Sequence, residues 1–461
     1  MIYDYDIAVI GGGPGGYVAA IKAAQRGKKT CIIESTYIGG TCLNVGCIPT
    51  KTLIRNANLL HEVKESAKFG ITGVAANQIG VDMKAVQTRK EGVVKQLTQG
   101  VKSLLTANGA KIITGSARFI DEHTISIGGN QITAQYFIIA TGSASVMPSF
   151  ITLEGANHIL TSTEMLSLNA LPQTIAIIGG GVIGVEFAYL LHNMGVKVTV
   201  IELMEHILPM VDHEISDRAK KRLSKDGVVF HLGARVEKIC DDAVHFTVGA
   251  ESKSVKADMV FMAVGRAPYT EGLDAGKIGI AFERNAIKVD AQLRTNIPHI
   301  FAIGDVNGKV MLAHTASAEA ETVVDCVCGN EKSMRYDRIP SCIYLEPEIA
   351  CIGLTEAQAR EQYGDRIQVG KFPAIASGKA LVEGDTDGMY KMILHGEYGE
   401  ILGAHFYGPH ATEMIAEIAL AMQTEATADE IIDTIHPHPT VSEMIRETVL
   451  AAWTGKAIHN L

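Results

Sequence analysis

One string occurs twice in this chain. Residues 7–16 read IAVIGGGPGG and residues 175–184 read IAIIGGGVIG, a match at a constant offset of 168. In each copy a short apolar run leads into G-x-G-x-x-G (Gly11, Gly13, Gly16; Gly179, Gly181, Gly184), and a helical pattern follows. A second apolar run then ends in a glutamate, Glu34 or Glu202, 18 residues past the last glycine. The glycines serve a tight turn and close backbone approach, the helix N-terminus favours a pyrophosphate, and the carboxylate suits ribose hydroxyls. A lone copy is a weak signal. Two copies with full strand, helix and acid context predict two dinucleotide-binding domains in series.

The repeat continues. Residues 137–143 (FIIATGS) are echoed by 260–266 (VFMAVGR), each a late strand ending in glycine, and each follows a hairpin-like stretch, at 124–133 and 244–255. Between Asp82 and Asn108 an amphipathic pattern predicts a long helix, N-capped by Asp82 and stopped at Gly109, whose role is packing. A third strand at 299–305 sets Asp305 at its carboxyl end, where open α/β sheets bind ligands; a turn or N-cap role fits that aspartate equally. From Ile339 the strand-like runs 342–344, 390–394 and 401–406 come before helical patterns, which reads as α+β. The predicted fold class is α/β, with two Rossmann-like domains plus a C-terminal α+β domain. At 461 residues the chain is too long for a single core.

Charge and composition narrow the function. Lys+Arg 41 against Asp+Glu 51 gives a net charge of -10, which argues against sequence-independent binding to nucleic acid or anionic lipid. The opening residues MIYDYD are acidic where a secretory or transit segment is basic. The longest apolar stretch, residues 175–191, is broken by three consecutive glycines and by Glu186, so no membrane span is expected. Eight cysteines without a secretion signal point to a reducing compartment, with the cytoplasm as the expected location.

Two of those cysteines, in GGTCLNVGCIPTK (residues 39–51), stand five positions apart. On a regular helix five residues rise about 7.5 Å, whereas a disulfide wants Cα atoms within about 6.8 Å. Bonding of Cys42 to Cys47 therefore needs a break in helical geometry, which Gly46 allows. Buried core thiols, a zinc half-site and a structural disulfide remain alternatives to redox chemistry. Proximity to the first fingerprint favours the redox reading. The second distinctive constellation is IHPHPTVSE, residues 435–443. Each histidine precedes a proline, which restricts its backbone, and an imidazole titrating near neutrality is what a dithiol reaction needs as proton acceptor. Glu443 can orient His438, and Thr440-x-x-Glu443 also fits a capping box that opens the final helix.

The glycine-rich strings, the cysteine segment, GGYVAAIKAA (15–24) and HPTVSE (438–443) together resemble the flavoprotein disulfide reductases over essentially the whole chain. Within that family the resemblance is strongest to the members that oxidise dihydrolipoamide. It implies an FAD-binding domain at 1–147, an NAD-binding domain at 148–270, a central region returning to the FAD site at 271–338 and a dimerisation domain at 339–461. FAD would occupy the first fingerprint, with Glu34 on the adenosine ribose and Asp305 on the ribityl chain, and NAD the second. The implied cofactor-binding set is Gly11, Gly13, Pro14, Gly16, Glu34, Gly40, Thr41, Lys51, Ala140, Thr141, Gly142, Gly304, Asp305, Met311, Leu312, Ala313, His314, Gly179, Gly181, Val182, Ile183, Gly184, Glu186, Glu202 and Gly265. Cys42 would exchange with substrate, Cys47 would face the flavin, and Lys51 and Glu186 would pair beside its reactive nitrogen. His438 and Glu443 would act on Cys42 of the other subunit in a homodimer. No metal is implied.

Local chemistry chooses among members. After Glu202 the residues 203–208 (LMEHIL) contain no arginine for a 2′-phosphate, so NAD is expected over NADP. The implied reaction is oxidation of dihydrolipoyl groups with reduction of NAD, served by a lipoyl-bearing acyltransferase or carrier protein of a 2-oxo acid dehydrogenase or glycine cleavage complex. The competing reading is a reductase running from NAD(P)H to another small disulfide, a quinone or a metal. A non-catalytic scaffold of the same fold predicts loss of a cysteine or of the histidine motif, and both are present. Tyr269, Thr315 and Ala320 depart from the family's usual asparagine, lysine and glycine.

Overall fold

The computed structural model describes residues 2–154 and 158–459. Apolar runs ended by glycine become buried parallel strands. Tyr5–Ile10 lies between Thr30–Glu34 and Asn130–Ile139, with Ile10 opposite both Ile33 and Ile139. Lys111–Thr114 extends one side and Ile300–Ala302 the other, Ala302 facing Ile139. Ile7, Ala8 and Val9 are fully buried, as a parallel sheet requires when it is covered on both faces. The second copy repeats this plan: Thr174–Ile178 runs between Lys197–Ile201 and Met259–Met262, with Ile178 opposite Ile201 and Met262. Both hairpins form, Thr124–Ile127 pairing with Asn130–Ile139 and Ala243–Val248 with Glu251–Lys256.

The two nucleotide-type units are stitched together just past their late strands. Ser143–Ser145 pairs antiparallel with Arg266–Pro268, the Tyr269 amide donates to Gly142 O at 2.9 Å, and Thr141 Oγ1 donates to Tyr269 O at 2.5 Å. The strand at Ile300–Ala302 returns the chain to the first sheet, which sets Asp305 beside the first fingerprint. Met83–Ala107 is the long helix, its Asp82 cap accepting the Ala85 amide at 3.1 Å. Among the described residues no helix is long and apolar enough to cross a membrane.

The last unit is a five-stranded antiparallel sheet in the order Ser341–Ile343, Glu348–Gly353, Ile401–Gly408, Met389–His395, Ile367–Pro373. Here the sequence reading needs three corrections. Strands and helices alternate, with Glu356–Tyr363 and Gly378–Glu383 lying between strands, and the strand Ile367–Pro373 is hidden in sequence by Gly370 and Pro373. Gly370 is required by packing: a Cβ there would lie 2.2 Å from Ala452 N, on the helix Glu443–Trp453 that crosses the sheet. That helix also starts later than the capping-box reading implies, with Ser442 as N-cap. The Thr440 hydroxyl donates to Pro437 O at 2.7 Å instead of accepting a helix amide, although the Thr440 amide still donates to Glu443 Oε2 at 3.0 Å.

Candidate active site

The two fingerprints fold alike down to single hydrogen bonds. Gly11 and Gly179 both adopt φ +110°, where a Cβ would stand 2.1 Å from Ala140 O and 2.4 Å from Ala263 O. At Gly16 and Gly184 a Cβ would lie 1.9 and 2.0 Å from the carbonyl oxygens of Gly11 and Gly179. Glu34 accepts the Gly12 amide at 2.6 Å and the Thr36 amide at 2.7 Å. Glu202 accepts the equivalent amides of Gly180 and Met204. Each carboxylate oxygen takes one N–H and retains acceptor capacity for a ribose hydroxyl. Gly13 and Gly181 precede the helices Pro14–Gln25 and Val182–Asn193, whose first amides are the donors an anion seeks. Replacing Gly16 with alanine is expected to cost about 3 kcal/mol or more through overpacking, read as loss of flavin on purification and a lowered Tm.

Both helix starts open on one cavity of about 1620 Å³, well above the roughly 300–1,000 Å³ of a single small-molecule pocket. Its wall carries Gly11, Gly13, Pro14, Glu34, Gly40, Thr41, Cys42, Cys47, Lys51, Ala140, Thr141, Gly142, Gly304, Asp305, Met311, Leu312 and Ala313 from the first unit and its return strand. From the second it carries Gly179, Gly181, Val182, Ile183, Glu186, Glu202 and Gly265. A Cβ at Gly181 or Gly142 would meet no protein atom within 4 Å, so the glycines leave open space. These residues fit two dinucleotides end to end. Gly16 and Gly184 serve packing behind the wall, and the exposed His314 turns away, its Nε2 at 2.8 Å from Pro340 O.

Between the cysteines the helix does break. Gly40–Val45 ends at Gly46, and Cys47–Glu65 starts a new helix. A Cβ on Gly46 would lie 2.8 Å from Thr41 O, so only glycine permits this joint. The joint sets the two free thiols beside one another, and each shifts the other's proton affinity. The Cys42 S–H donates to Cys47, which lowers the Cys47 pKa to about 7 against the cost of burial, with Lys51 helping. The same hydrogen bond, and then burial, push the Cys42 thiol up. Cys47 counts as exposed by area, but that area faces the cavity rather than bulk solvent.

Lys51 lies one helical turn past Cys47. Its Nζ reaches both oxygens of the buried Glu186, at 2.9 and 2.8 Å, and sits 4.6 Å from the Tyr344 ring centroid. The Tyr344 amide donates to the same carboxylate at 3.0 Å, which joins three units at this point.

Sequence reasoning missed three residues here. Ser143 Oγ donates to Asp305 Oδ2 at 2.5 Å, and Arg266 fixes Ser143 by donating to its Oγ at 2.7 Å and its carbonyl at 2.6 Å. Both directly follow the glycines that end the late strands, a signal that was available. Glu319 is fully buried and accepts the Gly304 amide at 2.5 Å, Asn307 Nδ2 at 3.1 Å and the Tyr336 hydroxyl at 2.6 Å. It thereby holds the turn that carries Asp305, and burial raises its pKa. Its signal is a carboxylate on the apolar face of the helix Ala313–Val327.

The histidine motif stands apart from the cavity. His438 Nδ1 is 2.9 Å from Glu443 Oε1, and its side chain is 77% exposed. Burial would raise the Glu443 pKa, but the Thr440 amide and His438 outweigh it and lower the value. His436 instead pairs with Glu417 at 2.9 Å, and that carboxylate raises its pKa. Within one chain, then, Lys51, Glu186, Cys42 and Cys47 come together, while His438 and Glu443 face outward. Among the described residues no cluster of three His, Cys, Asp or Glu side chains could hold a metal.

Comparison with known proteins gives the family. Residues 5–320 match the family described as pyridine nucleotide-disulphide oxidoreductase, and residues 339–449 match that family's dimerisation domain. A dihydrolipoyl dehydrogenase of Bacillus subtilis is 40% identical over 98% of this chain and 99% of its own. The mitochondrial dihydrolipoyl dehydrogenase of Schizosaccharomyces pombe is 38% identical over 99% and 91%. Among solved structures, the HOCl-induced flavoprotein disulfide reductase RclA from Escherichia coli superposes with a TM-score of 0.85 at 31% identity, covering 96% of this chain and 99% of that one. The chain belongs to the pyridine nucleotide-disulphide oxidoreductase family.

Proposed function

We propose that this protein is an FAD- and NAD-dependent homodimeric oxidoreductase that oxidises dihydrolipoyl groups and reduces NAD. Its partner in this reading is a lipoyl-bearing acyltransferase or carrier protein of a multienzyme complex in the cytoplasm. The observation that carries the proposal is the polarised Cys42–Cys47 pair on the wall of the cavity that both fingerprints share. The fit of that cavity to the two cofactors and the full-length likeness to dihydrolipoyl dehydrogenases support it.

His438 of one subunit, held by Glu443, takes the proton of a substrate thiol. The resulting thiolate attacks Cys42 of the other subunit and breaks its disulfide with Cys47, which leaves as thiolate. The second substrate thiol then displaces Cys42 and gives up its proton to it, completing a cyclic lipoyl disulfide and leaving two electrons on the cysteine pair. A leaving thiolate with a low pKa departs faster, which suits Cys47, and the raised Cys42 thiol holds its proton. Bound FAD supplies the two-electron acceptor between the dithiol and NAD. Lys51 and Glu186 orient one another at the junction of the two cofactor sites.

The test is anaerobic titration of the yellow holoenzyme, first with dihydrolipoamide and then with NAD. A long-wavelength thiolate–flavin absorbance after the first addition, and its loss with NADH formation after the second, support the assignment. Reduction by NADH alone, with no response to dihydrolipoamide, overturns it in favour of a reductase for another acceptor, a reading the likeness to RclA keeps in view. Since the Cys47 pKa is lowered to about 7, its charged form dominates above that pH and is lost below it. The long-wavelength absorbance of a thiolate beside flavin in the two-electron-reduced enzyme is expected to fade as pH falls through about 7.

A further inference from the structure

We infer that Arg235 stands at the adenosine end of the second nucleotide site as the positive partner for a 2′-phosphate, a group whose binding Glu202 opposes by repulsion. The inference rests on the proposed assignment of the second fingerprint to NAD. The six residues after Glu202 contain no arginine, yet the fold brings one in from 33 positions along the chain. The Ala234 amide donates to Glu202 O at 2.8 Å and the Gly233 amide to Met204 O at 3.0 Å, so the strand Ala234–Ile239 begins against the end of Lys197–Ile201. Ala234 and Val236 pack into the apolar core while Arg235 between them is exposed, and all three line the same cavity as Glu202 and Met204.

The charges around this arginine decide its role. Among the described residues Arg235 makes neither an ion pair nor a side-chain hydrogen bond. The Glu237 carboxylate on the same strand accepts from the Thr247 hydroxyl at 3.3 Å, and Glu205 lies against Gly233, where a Cβ would meet its Oε1 at 2.8 Å. Glu202 is held by the Gly180 and Met204 amides, one on each oxygen, and not by Arg235. An unpaired guanidinium on a ligand-sized cavity suits a phosphate, which it grips with charge-assisted hydrogen bonds. A 2′-phosphate placed there gains Arg235 but meets the Glu202 carboxylate, so NAD wins by repulsion of its competitor rather than by absence of a cation.

Binding of NAD and NADP to the oxidised holoenzyme, measured by calorimetry at one salt concentration, tests this in four proteins: the unaltered chain, R235Q, E202Q and E202Q/R235Q. Glutamine at 202 keeps one of the two acceptors, and the NAD affinity of each variant reports whether the fingerprint survives. R235Q is expected to weaken NADP about tenfold while changing NAD less than about threefold, and E202Q to strengthen NADP relative to NAD by about tenfold. In the double variant that relative gain disappears. Equal weakening of both nucleotides by R235Q, or a gain in E202Q that persists in the double variant, overturns the inference. If the unaltered chain binds no NAD, it is the proposed function that fails.

Discussion

Serine at position 47 is expected to reduce dihydrolipoamide-to-NAD turnover by about 10⁴-fold or more, the scale on which interdependent catalytic groups act. A serine hydroxyl cannot form the disulfide that stores two electrons, and as a leaving group it is far poorer than a thiol whose pKa is lowered to about 7. The change is nearly isosteric at a residue whose surface faces the cavity, so flavin content and Tm should stay close to those of the unaltered protein. NADH-driven reduction of an artificial dye separates the outcomes, because it needs the two nucleotide sites and not the dithiol. Dye reduction preserved with lipoyl turnover lost supports the role of Cys47. Lipoyl turnover at the original rate would remove the cysteine pair from the mechanism.

His438→Gln should cost about 10²- to 10⁴-fold in the same turnover, as loss of a general base does. Glutamine can still hydrogen-bond Glu443 but cannot carry the proton. Glu443→Gln should cost less, because the imidazole remains and only its orientation and charge support weaken. The exposed setting of this pair adds a sharper test: His438 is 77% exposed and lines no part of its own chain's cavity. A site built from two subunits predicts that dissociated and re-mixed C47S and H438Q dimers regain up to about a quarter of the original activity, since half the dimers are mixed and each mixed dimer holds one complete site. If the mixture stays inactive while each parent re-forms dimers, the two groups do not meet across an interface.

The repeat was the most legible part of the fold. Glycine spacing, apolar strands and a terminal acid are local features, and the matching geometry at Gly11 and Gly179 follows from them. The cysteine joint was legible as a need for irregular backbone, because a five-residue spacing cannot bond on an unbroken helix. What escaped notice depends on distant partners. The strand Ile367–Pro373 is specified by the helix Glu443–Trp453 packed against Gly370, which no local pattern reveals. Glu319 stands on the apolar face of its helix, but its role shows only when Gly304, Asn307 and Tyr336 converge on it. Ser143 and Arg266 matter because two domains meet there, and Arg235 because a hairpin strand runs back along Glu202.

The ribbon of Ser143–Ser145 against Arg266–Pro268 has a kinetic corollary. It ties both halves of the duplication along the wall of their shared cavity, with Arg266 clamped on Ser143 and Thr141 on Tyr269. A hinge opening between the halves would have to tear that knot on every cycle. Gating by domain swing is thereby disfavoured, and the pace of a turnover passes to what arrives and departs: the visiting arm on one side, the spent nucleotide on the other.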